Sequence, residues 1–184
     1  MKLKIIQIGD PVLEQKAKPV KDINDPALQT LIDNILDTCN FDLDKTAGLS
    51  APQVGESLAV SVCRRFDISD DSVEWEVMIN PKIIANSSEK STMWEGCLSI
   101  GEGDKTLYGP VTRPKRVTVE YLDRAGEKKR LTGEDFFSHV IQHEVDHVNG
   151  ILFIKYVQNP DQNLWLSKEI DNYLEIHDTF PPIV

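Results

Sequence analysis

The stretch Gln142-His143-Glu144-Val145-Asp146-His147 holds residues whose types and spacing can do chemistry together. It reads H-E-x-x-H. In a helix, residues four apart lie one turn apart on the same face, so His143 and His147 can aim two imidazoles at one point. Glu144 sits one position round from the first histidine, within reach of whatever that point holds. This arrangement suits a divalent metal with a carboxylate general base beside it. His139 lies one turn earlier and is a rival ligand. A single helix face does not easily give three ligands to one tetrahedral ion, so His139 is expected behind the ligands or at the surface.

A third ligand must come from elsewhere. The zinc-peptidase pattern H-E-x-x-H-x-x-G-x-x-H is matched at Gly150 but broken at Phe153. Downstream carboxylates (Asp161, Glu169, Asp171, Glu175) remain open, and the better candidate lies upstream. There, Met93-Trp94-Glu95-Gly96-Cys97-Leu98-Ser99-Ile100 places Cys97 after a glycine and between loops. Its residue type leaves packing, nucleophile and ligand roles open.

The helix under the motif is well marked. Thr132, Gly133 or Glu134 starts it, with Glu134 and Asp135 at the positive end of the dipole. Phe137, Val140, Ile141, Val145 and Val148 recur at helical spacing, and Asn149-Gly150 stops it.

The remaining elements must hold this helix in place. Lys2 to Ile8 reads as a first strand, closed by the turn Gly9-Asp10-Pro11. Asp25-Pro26 opens a helix, with Leu28, Leu31, Ile32, Ile35, Leu36 and Cys39 on one face. Thr46 to Gly55 is crowded with small residues that permit close backbone approach, and Gln53 offers an amide donor there; alone it reads as a loop before the strand Leu58 to Cys63. Phe66 to Glu74 reads as an acidic surface loop. Trp75 to Ile79 and Lys82 to Ala85 read as two short strands around Asn80-Pro81, and Asn86 to Thr92 as a turn or loop.

Gly101 to Pro110 reads as a polar loop, and Val117, Val119 and Tyr121 alternate as a half-buried strand. Asp123 to Gly126 is a turn to a hairpin partner, Glu127 to Leu131. Ile151 to Tyr156 is a strand or extended run, and a last helix spans about 161–177. The expected fold is α+β: antiparallel strands around a central metal-binding helix, with N-terminal and C-terminal helices, over a single catalytic domain of residues 1–184.

The whole chain narrows the function classes. Its 184 residues suffice to bury roughly 70 % of the unfolded surface, so no disulfide or metal is needed for the fold itself. A net charge of -10 argues against direct nucleic-acid binding. The basic run from Arg113 to Arg130 reads as a solvated strand face. Three cysteines (Cys39, Cys63, Cys97) fit a reducing compartment; Cys39 and Cys63 read as packing residues. Met1 to Ile8 is too short an apolar run for a signal peptide, and no stretch approaches the ~18 apolar residues of a membrane span. A bacterial cytoplasm is the simpler expectation, with an organelle left open.

Three motifs in order resemble those of the peptide deformylase family: Gly48-Leu49-Ser50-Ala51-Pro52-Gln53, Glu95-Gly96-Cys97-Leu98-Ser99, and Gln142 to His147. They look like that family's G-φ-x-x-x-Q, E-G-C-x-S and H-E-x-x-H. The weaker Ile8 to Leu13 and Val117 to Gly126 also look familial. The resemblance implies that Cys97, His143 and His147 bind one metal, with water in the fourth position. Three protein ligands and an open position are the arrangement of a catalytic site. The implied metal is Fe(II) in the cell, while Zn(II), Ni(II) or Co(II) also suit the ligands.

The implied reaction is hydrolysis of the formyl group on the N-terminal methionine of new peptides, releasing formate. Metal-activated water attacks the formyl carbon, and Glu144 takes its proton and passes it to the leaving amine. The resemblance assigns the oxyanion to the Gln53 side chain and the Leu98 backbone N–H, and close substrate approach to Gly48. Formyl-Met nascent chains are the implied partners, with transient proximity to the ribosome and no membrane.

Some positions depart from the family pattern. Thr46 stands where a further glycine is common, Gly101 where proline often follows the second motif, and the Gly101 to Pro110 loop is long. They bear on the shape of the substrate cleft. The segment from Asp161 carries five acidic residues against Lys168, which does not support attraction to ribosomal RNA.

Two other readings compete. A zinc endopeptidase with its third ligand elsewhere predicts that Cys97→Ser leaves metal binding nearly intact; the deformylase reading predicts its loss or alteration. A binding domain without turnover has no need of Glu144, and predicts no hydrolysis from wild type or from Glu144→Gln.

Overall fold

The computed structural model describes residues 1–68 and 73–184. Helix α1 (Pro26–Phe41) starts where Asp25 caps it: the Ala27 amide donates to Asp25 Oδ1 at 2.9 Å. Its apolar face buries Leu28, Ile32, Ile35 and Cys39 against Leu49, Val60 and Val62. Each such fully buried Leu or Ile side chain contributes ~1.5–3 kcal/mol.

Eight strands follow among the described residues, in two antiparallel sheets. They are β1 (Gly48–Ser50), β2 (Val60–Arg64), β3 (Trp75–Asn86), β4 (Lys90–Gly96), β5 (Leu107–Pro114), β6 (Arg116–Leu122), β7 (Lys128–Glu134) and β8 (Trp165–Leu166). One sheet has the order β1-β2-β3-β6-β7, the other β4-β5-β8. Strand β6 alternates buried and half-buried residues, as its sequence period requires.

Helix α2 (Asp135–Val148) carries the H-E-x-x-H stretch and touches strands of both sheets. Phe137, Val140, Ile141 and Val145 pack on Met78, Val117, Val119 and Tyr121 of the larger sheet. Just beyond its end, Leu152 and Phe153 pack with Cys97 and Val111. Gly150, at φ +73°, turns the chain out of α2 so closely past Glu14 and Gln15 that a Cβ would meet Gln15 carbonyl carbon at 2.7 Å. The fold is therefore α+β, with α2 at its centre.

Several local expectations are corrected. Residues 2–8 form no strand; Ile6 and Ile8 donate singly to the Gln53 and Ser99 carbonyls. Asn80-Pro81 does not divide two strands. Strand β3 runs through it because Asn80 adopts φ 53° and the pairing register with β6 shifts between Ile79 and Lys82, absorbing the proline in a bulge. Gly48 to Val54 is a short strand and a 3-10 turn (Ala51–Val54), not a plain loop. The expected Gly101 to Pro110 loop is shorter: Gly101, at φ +87°, folds residues 101–106 back tightly and β5 begins at Leu107. Ile151 to Tyr156 ends in a 3-10 turn (Phe153–Tyr156) rather than a strand.

The last helix is divided into α3 (Pro160–Asn163), β8 and α4 (Ser167–His177), because Leu107 and Tyr108 of β5 recruit Leu166 and Trp165 as a sheet edge. Part of the expected acidic loop, residues 69–72, lies outside the described residues. The basic run is the expected solvated face at Arg116, Arg124, Lys128, Lys129 and Arg130, which are exposed, but not at Arg113. Arg113 is 4 % exposed, while Lys115, Arg116, Arg124, Lys128, Lys129 and Arg130 each pair with an acidic neighbour.

Candidate metal centre and active site

Strand β4 ends at Gly96 and delivers Cys97 to the side of α2; Cys97 is therefore at a strand end, not between loops. There its Sγ lies 3.2 Å from His147 Nε2. One ligand atom from each of Cys97, His143 and His147 lies within 4.8 Å of the others. A tetrahedral ion with bonds of ~2.0–2.3 Å needs such atoms ~3.3–3.8 Å apart, so this sulfur and two imidazole nitrogens can hold a divalent metal with little movement. Burial pushes His147 well below the usual histidine range and keeps it neutral, as a ligand must be. Its Nδ1 is buried without a hydrogen-bond partner among the described residues.

His143 is oriented from behind. Its Nδ1 lies 3.0 Å from Glu95 Oε2, which leaves Nε2 for the ligand cluster. Burial alone would depress its pKa; hydrogen bonds to the Cys97 sulfur and Glu95 outweigh this and raise it well above the usual range. Glu95 is itself held by a fork from Arg113, at 2.7 Å to Oε1 and 3.0 Å to Oε2. The third guanidinium nitrogen donates to Asp146 Oδ2 at 2.6 Å. Although burial opposes it, these donors drive the Glu95 carboxyl far below the ordinary carboxylate range. His139 is buried and bonded to the same carboxylate, so it lies behind the candidate ligands rather than at the surface.

Glu144 faces the other way, toward β1. Ser50 Oγ donates to its Oε2 at 2.7 Å, and Ser61 Oγ to its main-chain carbonyl at 3.2 Å. Burial raises its carboxyl from 4.5 to about 7, the range useful to a general base at neutral pH. Gly48 makes room for it, since a Cβ there would lie 2.7 Å from Glu144 Oε1. Gln53 is fixed by accepting the Ser50 amide on Oε1 at 2.8 Å, which turns Nε2 to within 3.6 Å of Cys97 Sγ. The Leu98 carbonyl accepts from Gln7 Nε2 at 2.9 Å, while its own N–H makes no hydrogen bond among the described residues.

Gly48, Gln53, Cys97, Leu98, His143 and Glu144 border one cleft of about 880 Å³, also lined by Thr46, Tyr108, Phe136 and Asp171. The seven residues expected at the site are thus gathered in one place, Leu98 among those lining the cleft. Ser50, Arg113 and Asp146 lie within the motif stretches or the basic run, but only long-range pairing reveals what they do. Glu95 had one signal, its place two residues before Cys97 in the second motif.

A buried carboxylate beside a Cys-His-His group, on an H-E-x-x-H helix framed by antiparallel strands, defines a hydrolase with a metal-binding group. The profile of the family described as Polypeptide deformylase matches residues 2–163. Peptide deformylase 2 of Vibrio cholerae is 40 % identical over 166 residues, covering 90 % of this chain and 92 % of that protein. Peptide deformylase of Dehalococcoides mccartyi is 40 % identical over 159 residues, covering 86 % and 88 %. A crystal structure of a peptide deformylase from Legionella pneumophila superposes with TM-score 0.75 at 34 % identity, over 98 % of this chain and 100 % of that one. The actinonin-bound class I type b peptide deformylase from Acinetobacter baumannii gives 0.75 at 32 % identity, over 86 % and 99 %. The chain belongs to the polypeptide deformylase family, hydrolases that remove the formyl group from N-terminal formyl-methionine.

Proposed function

We propose that this chain hydrolyses the formyl group of formyl-Met peptides at the cleft just described, working as one catalytic unit over residues 1–184. The observation that carries the reading is the convergence of Cys97, His143 and His147 within 4.8 Å, beside a buried Glu144. These three residues hold one divalent metal, which when bound supplies Lewis-acid activation of water and carbonyl oxygen. A thiolate with two imidazoles accepts Fe(II), Zn(II), Ni(II) or Co(II); Fe(II) is our choice for the cell, on the family resemblance.

The protein's own groups carry the proton and the charge. Glu144 takes a proton from the attacking water and returns it to the departing amine, with Ser50 Oγ holding the carboxylate in place. Gln53 Nε2, anchored through Oε1, and the Leu98 N–H donate to the developing oxyanion. Gly48 keeps both Glu144 and the passing substrate backbone unobstructed. Nascent chains as substrate imply work in the bacterial cytoplasm, transiently near the ribosome; the bacterial relatives support this.

The test is formate release from a formyl-Met tripeptide, with anaerobic Fe(II)-loaded protein beside Glu144→Gln. Wild type should release formate, and the variant should lose activity by ~100-fold or more. Wild-type protein with one bound metal per chain and no formate release would refute the reading. Cys97→Ser should sharply weaken metal binding, measured by chelator competition; unchanged affinity would point to a ligand set of another kind.

A further inference from the structure

The Glu95 carboxylate accepts four hydrogen bonds, two on each oxygen. Oε1 takes His139 Nδ1 at 2.8 Å and Arg113 Nε at 2.7 Å; Oε2 takes His143 Nδ1 and Arg113 Nη2, both at 3.0 Å. His139 and His143 are one turn apart on α2, so a single carboxylate spans both rings. A carboxylate that takes both arms of the Arg113 fork is acceptor only, so each Nδ1 carries its proton toward Glu95. For His143, that assignment frees Nε2 for the ligand cluster. For His139, Nε2 is occupied by Ser91 Oγ at 3.0 Å, and the ring is 2 % exposed. Its burial beside Val140 is not apolar packing, because both ring nitrogens are used.

We propose that His139 is a positioning residue for the metal centre: by bonding Glu95 Oε1 it fixes that carboxylate, and through it the tautomer and plane of His143. Arg113 reaches α2 only through Asp146, and His143 holds only Oε2; the bond from His139 to Oε1 gives both carboxylate oxygens a direct donor on the helix that bears the ligands. The role rests on the reading of Cys97, His143 and His147 as ligands, and it predicts an effect on metal affinity that needs no substrate.

The two amide substitutions separate this role from simple packing. An Asn amide nitrogen hangs from Cγ, where His139 carries Nδ1, and can still reach Glu95. A Gln amide nitrogen hangs one atom further out, toward Ser91. Metal-free wild type, His139→Asn and His139→Gln would be titrated with Co(II) or Zn(II) against a chelator, with the Co(II) absorption bands recorded. Loss of a partner behind a ligand costs 10–100-fold in metal affinity, so His139→Gln should bind at least ~10-fold more weakly with altered Co(II) bands. His139→Asn should stay within ~3-fold of wild type with unaltered bands. Wild-type affinity and bands in His139→Gln would overturn the proposal. So would an equal loss in His139→Asn and His139→Gln, since packing alone treats the two amides alike. If wild type binds metal with this pattern of affinities yet releases no formate, the positioning role stands and the deformylase reading falls.

Discussion

Glu144 and Gly48 are matched to each other across the cleft. The missing Cβ at residue 48 is the space occupied by the Glu144 carboxylate, at 2.7 Å. Gly48→Ala should therefore displace the Glu144 carboxylate, the proposed base, by a large fraction of an ångström. Misplacements of ~1 Å can cost ~100-fold, so kcat is expected to fall ~10- to 100-fold in the formate assay with folding intact. The same burial makes a pH prediction for metal-free protein. Below pH 4.5 the Glu144 carboxyl is protonated whether the chain is folded or unfolded, and it has no effect on stability. As pH rises from 4.5 to about 7 the unfolded chain gives up this proton while the folded one keeps it, so stability falls; above pH 7 the full penalty is in force. At ~1.4 kcal/mol per pH unit this amounts to about 3 kcal/mol. Denaturant unfolding of metal-free Glu144→Gln should match wild type near pH 4 and exceed it by about this amount at pH 8. A constant difference across that range would contradict the assignment.

Between elements, the Glu95–Arg113–Asp146 chain ties β4 to β5 and β5 to α2 in the interior. Arg113→Ala would leave the buried Glu95 carboxylate and the half-buried Asp146 carboxylate without their shared cation. Breaking one partner of such a network costs ~3–5 kcal/mol, which chemical denaturation should register, together with weaker metal binding. Arg113 also marks the limit of what local pattern reveals. It sits in a stretch of basic residues that reads as a solvated face, and its partners lie 18 and 33 positions away in the chain. The helices were legible because the period in Leu28 to Cys39 and Phe137 to Val148 is repeated over several turns. The Asn80-Pro81 dipeptide misled because a breaker within one strand is tolerated where the partner strand accepts a bulge. The residues of the candidate site were marked in the sequence by three motifs whose order could be matched. The Glu95 hydrogen bonds were not, since they depend on how α2 is rotated against β4.

At the scale of the molecule, the family match ends at residue 163, and the rest of the chain forms β8, α4 and a tail. This part is fastened by buried Ile170, by Phe180 stacked on Trp94 at 5.6 Å, and by Val184, whose N–H donates to Asn163 Oδ1 at 3.0 Å. Ser167 and Asp171 of α4 border the cleft, but no proposed ligand lies there. A chain ending at Asn163 should therefore keep its metal affinity within ~3-fold, lose ~2–4 kcal/mol of stability with its buried side chains, and show a raised KM for formyl-Met peptides. Equal loss of metal binding would show that α4 supports the ligands as well as the cleft.

Cys97 follows a strand of the three-stranded sheet, whereas His143 and His147 ride on the helix that packs against the five-stranded one. An ion held by all three is thus a cross-link, stapling together parts of the chain that the unfolded state keeps far apart. Folding and metal occupancy become a single linked equilibrium, in which the native state gains RT ln(1 + [M]/Kd). At free metal a hundredfold above Kd the gain is about 2.7 kcal/mol, so the melting temperature should climb with the logarithm of free metal and fall back on chelation. A cell short of the ion would then carry less folded enzyme as well as less active enzyme.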